Sequence, residues 1–136
     1  MARGRFGSAL RSTLAILSGI VTLTALSFGI EAIARAAGVG SGPLARLFMF
    51  GYGAASIAAG GAVTAWVAGR APMLHALLMG VTQTLLTIWA AIAMSAHAPA
   101  SSWLASIIMA LPATILGGWG YVRLRRRTPG SGPVSA

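Results

Sequence analysis

The chain has 136 residues, of which 57% are hydrophobic and 8% are charged. A soluble domain carries about 25% charged residues, so a chain this poor in charge could not cover a water-facing surface. Net charge is +9 and cysteine is absent, which excludes disulfides, thiolate metal sites and cysteine nucleophiles.

Residues 1–12 form a basic flank with Arg3, Arg5 and Arg11. The first apolar run, 13–36, matches the roughly 20 residues that a spanning helix needs. Its "ARA" at 34–36 looks like a cleavage site. The run nevertheless exceeds the roughly 7–15 residues of a signal peptide's apolar region, so a retained helix is expected. Thr22 is a polar position within this span. Glu31, the only acid in the chain, falls about 27 Å along the helix, near its outer end. Arg35 follows one turn later in the favourable acid-before-base order, which predicts a local ion pair. An acid inside a span is also a candidate proton or cation site.

The stretch "GVGSGP" (38–43) reads as a Gly-rich connection to a second span at 47–69. There Gly53, Ser56, Gly60 and Thr64 share one face, and Gly61, Ala65 and Gly69 form a second small-residue stripe. Small residues let helix backbones approach in lipid, where apolar surface alone does not drive association. A phosphate cradle is disfavoured, because it needs a strand-turn-helix context and exposed N–H groups.

"GRAP" (69–72) predicts a short turn, with Gly69 ending one helix and Pro72 opening the next. The third span, 73–95, carries His75 one turn in and the polar stripe Gly80, Gln83, Thr84 and Thr87. Gln83 falls about 15 Å along it, close to the bilayer midplane. "HAPASS" (97–102) then offers Pro99 and an N-cap at Ser101 or Ser102. The fourth span, 101–122, carries Ala113, Gly117, Gly118 and Gly120 as small packing residues, and Pro112 as a kink that frees the Ile108 carbonyl. Helices two and four are thus expected to pack closely. A midplane cluster of Gln83, Thr87, Thr22 and the Pro112 kink is the candidate polar or transport site. Interhelical glue is the plainer reading of the same residues. His75 and His97 lie roughly 33 Å apart on one helix, too far to share a metal.

Residues 123–136 begin with the basic run of Arg123, Arg125, Arg126 and Arg127 and end in an aperiodic tail expected to be disordered. Three arginines in the first flank, Arg70 and these four place eight on one side of the membrane. Arg35 and Arg46 are left on the other. The positive-inside rule then puts both termini and the Arg70 turn in the cytoplasm. The arginines sit in flanks and turns rather than along a helix face, so they read as topology anchors touching anionic headgroups, not as a nucleic-acid site. Short similarities, "ILSGIVTLT" to "LLMGVTQTL" and "GGAVTAWVAGR" to "GGWGYVRLRRR", suggest a duplicated helical hairpin.

The stretches "GGAVTAWVAGRAPMLHALLMG" (60–80), "ALPATILGGW" (110–119) and "LRSTLAILSG" (10–19) resemble a family of uncharacterised small four-helix bacterial inner-membrane proteins. The resemblance covers most of residues 10–120. It implies an architecture and a location but no activity. Here "AW" at 65–66 departs from the family's aromatic placement, and Glu31 stands where an aspartate is common.

The resulting expectation is an all-α integral membrane bundle of four transmembrane helices, N-in and C-in, without catalytic activity, cofactor or metal. One acid and two distant histidines supply little for acid–base or nucleophilic chemistry. The favoured role is a small structural or interaction component, packing with itself or a membrane partner. A small oligomeric transporter or channel using Glu31 and Gln83 is the alternative.

Overall fold

In the computed structural model, residues 2–39, 42–94 and 100–127 are described. The expectations for His97, Pro99 and the 128–136 tail lie outside them. Four helices follow in order: α1 (Ala2–Ala36), α2 (Pro43–Ala68), α3 (Pro72–Ala93) and α4 (Ala100–Arg127). Each is long and apolar enough to cross a membrane. Three boundaries differ from expectation, one of them the start of α2 at Pro43 rather than 47. The basic flank is not separate from the first span, because α1 continues back to Ala2, and α4 runs on through its arginines to Arg127. Arginine is a good helix former, so a basic composition changes where the helix meets water without ending it.

The connections are built from backbone conformations that L-residues avoid. Gly69 ends α2 at φ 66°, and Ala71, directly before α3, takes the left-handed conformation at φ 46° and ψ 56°. Pro72 then opens α3, where its missing N–H costs nothing. The turn therefore reverses the chain in three residues, as "GRAP" suggested. Arg11 on α1 closes this end of the bundle, with its Nε donating to the Val67 carbonyl at 3.3 Å. His75 ties the start of α3 to α1: its Nε2 lies 2.9 Å from Ser12 Oγ, and its Nδ1 lies 3.1 Å from the Ala71 carbonyl.

Around the bundle the order is α1, α2, α4, α3. α2 packs on all three other helices, α4 packs on α2 and α3, and α1 and α4 do not touch among the described residues. The two hairpins are therefore packed differently: α3 lies against α2, while α4 has no equivalent contact with α1.

The interior is made of small residues. Ala15, Ala65, Ala76 and Ala110 are fully buried, and the largest fully buried side chains are Met79, Thr64, Thr114 and Ser56. Large side chains face outward instead, among them Phe28, Leu44, Trp89 and Ile92, each more than two-thirds exposed. That inversion suits a hydrocarbon solvent, in which close backbone packing, not apolar burial, holds helices together. The closest approaches fall on glycines. A Cβ at Gly61 would lie 2.5 Å from the Thr114 carbonyl oxygen of α4, and a Cβ at Gly117 would collide with the Ala58 carbonyl of α2. Gly60 meets Gly19 of α1 in the same way, at 2.7 Å, and a Cβ at Gly118 would lie 2.6 Å from that of Ala76. Two of the buried hydroxyls bond within their own helices: Thr64 donates to the Gly60 carbonyl and Thr114 to the Ala110 carbonyl, both at 2.9 Å, while the Ser56 hydroxyl has no partner among the described residues.

Gly53 and Gly120 are exceptions among the expected packing glycines. A Cβ at either would meet nothing within 4 Å. α2 and α4 are pinned together at residues 58–61 and 114–117. Two turns away, Gly53 and Ala54 of α2 face Ser106 and Met109 of α4 across an open space.

Candidate functional site

The space beyond that pin is a cavity of about 650 Å³ between the four helices, at the end of the bundle opposite the Arg70 turn. Its deep wall comes from Leu23 of α1, Ile57 of α2 and the pair Gln83 and Thr87 of α3. Leu23 and Ile57 also belong to the packed core with Met79 and Ala113, and that core closes the bundle below the cavity. Nearer the mouth the wall is formed by Arg46, Met49, Phe50 and Tyr52 of α2 and by Ser101, Ser102, Trp103 and Ser106 of α4, with Ser27 of α1 opposite.

Helical spacing places these groups. Arg46, Met49, Phe50, Gly53 and Ile57 recur at three- and four-residue intervals, which puts them on one face of α2. Gln83 and Thr87 are one turn apart on α3. The Thr87 hydroxyl donates to the Gln83 carbonyl at 2.8 Å, and the Gln83 amide nitrogen stands 3.5 Å from the Thr87 oxygen. Ser106 is similarly tied to the Ser102 carbonyl at 3.0 Å. The Trp103 indole nitrogen is buried without a hydrogen-bond partner among the described residues. Phe48 and Tyr52 stack at a tilt, their ring centroids 5.5 Å apart.

The expected midplane cluster forms only in part. Gln83 and Thr87 come together and line the cavity. Thr22 does not join them: it is half-buried and its hydroxyl is taken up by the Ser18 carbonyl at 2.8 Å. Pro112 is exposed on the outside of α4. The buried stripe of that helix is Ala110, Ala113, Thr114 and Gly118, and position 112 falls off it. Glu31 is also outside the cavity wall and pairs with Arg35 at 2.6 Å, as its spacing predicted. Ser101 and Ser102 are not caps, because α4 already starts at Ala100. Both sit in its first turn at the mouth of the cavity.

Three cavity groups escaped sequence reasoning. Arg46 had the look of a loop arginine, but α2 begins at Pro43 and carries it on the cavity face. Tyr52 and Trp103 also line the cavity, beside Arg46 on α2 and at the start of α4. The legible signal was the three- and four-residue spacing from Arg46 to Ile57.

The basic run lies at the opposite end of the bundle. Arg123, Arg125, Arg126 and Arg127 are exposed, and the Arg123 guanidinium lies 4.9 Å from the centre of the Trp119 ring. Among the described residues no group of three or more His, Asp or Glu side chains could hold a metal ion. No family model, curated protein or solved structure matches the chain.

Proposed function

We propose that this chain is a multi-pass protein of the bacterial inner membrane, N-in and C-in, that holds a small ligand in its outer cavity without catalysing a reaction. The arginine asymmetry supports the orientation. The resemblance of its glycine motifs to four-helix inner-membrane proteins supports the location. The observation that carries the ligand reading is the cavity of about 650 Å³ with Gln83 and Thr87 in its deep wall and Arg46 nearer its mouth. That size falls inside the roughly 300–1,000 Å³ of small-molecule sites.

The cavity is open at one end and closed at the other by Leu23, Ile57 and Met79, so one protomer offers a pocket and not a continuous pore. Among the described residues the wall carries hydroxyls, an amide, an indole and a guanidinium but no carboxylate or imidazole. Those residues supply recognition groups. Carriage of the ligand across the membrane would require the Leu23–Ile57–Met79 layer to part.

A packing role with a second copy or a membrane partner is the second reading. Ala25, Gly29, Ala32 and Ala36 lie exposed along one face of α1, where another helix could approach closely.

The absence of cysteine makes the deciding experiment direct. Single cysteines are introduced at Thr87, Ser102 and Leu85, and a membrane-impermeant thiosulfonate is added from the outer side. Thr87→Cys and Ser102→Cys should react, and Leu85→Cys, on the exposed outer face of the bundle, should not. An inert Thr87→Cys beside a reactive Ser102→Cys would show that the cavity does not reach the midplane, and the ligand reading would fall.

A further inference from the structure

A second space adjoins the cavity. Between α2 and α4, Ala54 and Met109 border a narrow cleft of about 70 Å³ that shares Met49, Phe50, Gly53, Ile57 and Ser106 with the cavity wall. It lies where the two helices splay apart beyond the Gly61–Thr114 pin, and it leads sideways, toward lipid. The glycine there presents no side chain to close it. A water-soluble ligand needs only the mouth. A cleft on the lipid side serves a ligand that lives in the bilayer.

The chemistry of the wall narrows the ligand further. Leu23, Met49, Phe50 and Ile57 make much of it apolar. Among the described residues its one charge is Arg46, which has no ion pair or side-chain hydrogen bond with any of them and sits in the first turn of α2, where the helix dipole also favours an anion. The buried Trp103 N–H has no acceptor among the described residues. The only acid in the chain is held by Arg35 outside the wall. The site is thus rich in donors, single in positive charge and apolar in body.

Resting on the ligand-binding reading above, we infer that the cavity takes an anionic lipid of the outer leaflet, with its headgroup at Arg46 and its acyl chain lying through the α2–α4 cleft. Carboxylate and phosphate heads share the chemistry that Arg46 reads, because a guanidinium donates two parallel hydrogen bonds to either. A fatty acid and an anionic phospholipid are therefore both candidates within this one class.

The test uses full-length Thr87→Cys in lipid nanodiscs of zwitterionic phosphatidylcholine, with the rate of thiosulfonate labelling as readout. Added oleate should slow labelling at least about tenfold, the scale expected for hydrogen bonds to a charged group. Methyl oleate, which has the same chain but no charge, should not. Discs containing phosphatidylglycerol should slow labelling without oleate if the phospholipid is the occupant, and only oleate should act if it is the fatty acid. Arg46→Gln should abolish protection while leaving the melting temperature unchanged, since Arg46 is exposed and makes no packing contact that folding needs. Gly53→Leu, which fills open space at the cleft, should also abolish it. Equal protection by methyl oleate, or full protection in Arg46→Gln, overturns the inference. Protection by a water-soluble anion such as citrate, with none by oleate or phosphatidylglycerol, overturns it and leaves the ligand cavity standing. If Thr87→Cys resists labelling under every condition, the ligand cavity falls, and this inference with it.

Discussion

Replacing Gly61 by alanine forces a methyl group against the backbone of α4. The added Cβ would lie 2.5 Å from the Thr114 carbonyl oxygen, 2.9 Å from its Cα and 3.1 Å from its carbonyl carbon. A carbon–oxygen contact in proteins sits at roughly 3.3–3.6 Å, so α4 would have to withdraw by about 1 Å. No rotamer change can relieve this, because all three atoms are main chain. Withdrawal would also loosen the reciprocal contact of Gly117 with Ala58. Overpacking of this kind costs about 1–3 kcal/mol. The control is Gly53→Ala on the same helix, where the new methyl meets nothing within 4 Å. Removing a helix-interior glycine there should stabilise by roughly 0.5–1 kcal/mol. The assay is reversible unfolding in mixed micelles of mild detergent and dodecyl sulfate, followed by circular dichroism. A Gly117→Ala change made on top of Gly61→Ala should cost less than it does alone, because the helices have already parted, giving a coupling of about 0.5–3 kcal/mol. If Gly61→Ala and Gly53→Ala unfold alike, or if the two clashing changes simply add, then α2 and α4 are not pinned by these glycines. The origin assigned to the cavity would then be wrong.

Other changes separate structural from functional roles. Ala71 holds a left-handed conformation that costs an L-residue roughly 1–2 kcal/mol. Ala71→Gly should therefore raise unfolding resistance, and a loss of stability would show that the three-residue turn is not strained. Arg11→Gln removes a guanidinium from the carbonyl end of α2, and a loss of about 0.3–1 kcal/mol is expected in the same assay. Glu31→Gln breaks an exposed ion pair with Arg35 and should change stability by no more than about 1 kcal/mol. It should also leave thiosulfonate labelling of Thr87→Cys unaltered, because Glu31 is outside the cavity wall. A large change in that labelling would return Glu31 to the site.

Much of the architecture was legible before any coordinates. The lengths of the apolar runs set the number of helices, because a span needs a fixed rise through hydrocarbon. Gly69 and Pro72 marked the corner between α2 and α3, because glycine tolerates positive φ and proline tolerates a helix start. Glu31 and Arg35 found each other because one helical turn separates them. The close packing of α2 on α4 was also readable, from Gly61 and Gly117, whereas Gly60 and Gly118 pack on α1 and α3 instead. These are all local or periodic properties, and a linear chain records them.

The site was legible only by halves. Gln83 and Thr87 share a helix face, and their spacing says so. Whether Thr22 and Pro112 would meet them depended on how α1 and α4 rotate about their axes. That rotation is decided by which small residues allow the closest approach, Gly19 on α1 and the Ala113, Thr114 and Gly117 surface on α4. Once those faces are buried, Pro112 turns outward and the Thr22 hydroxyl bonds within its own helix. The sequence by itself determined a membrane-spanning all-helical chain, with its turns and its charge asymmetry. Only the tertiary structure decided that α2 and α4, pinned at Gly61 and Gly117, splay beyond Gly53 and bring Arg46, Tyr52, Gln83 and Trp103 around one cavity. Helix formation is governed by neighbours along the chain, whereas a cavity is governed by the crossing of helices whose contacts lie more than fifty residues apart.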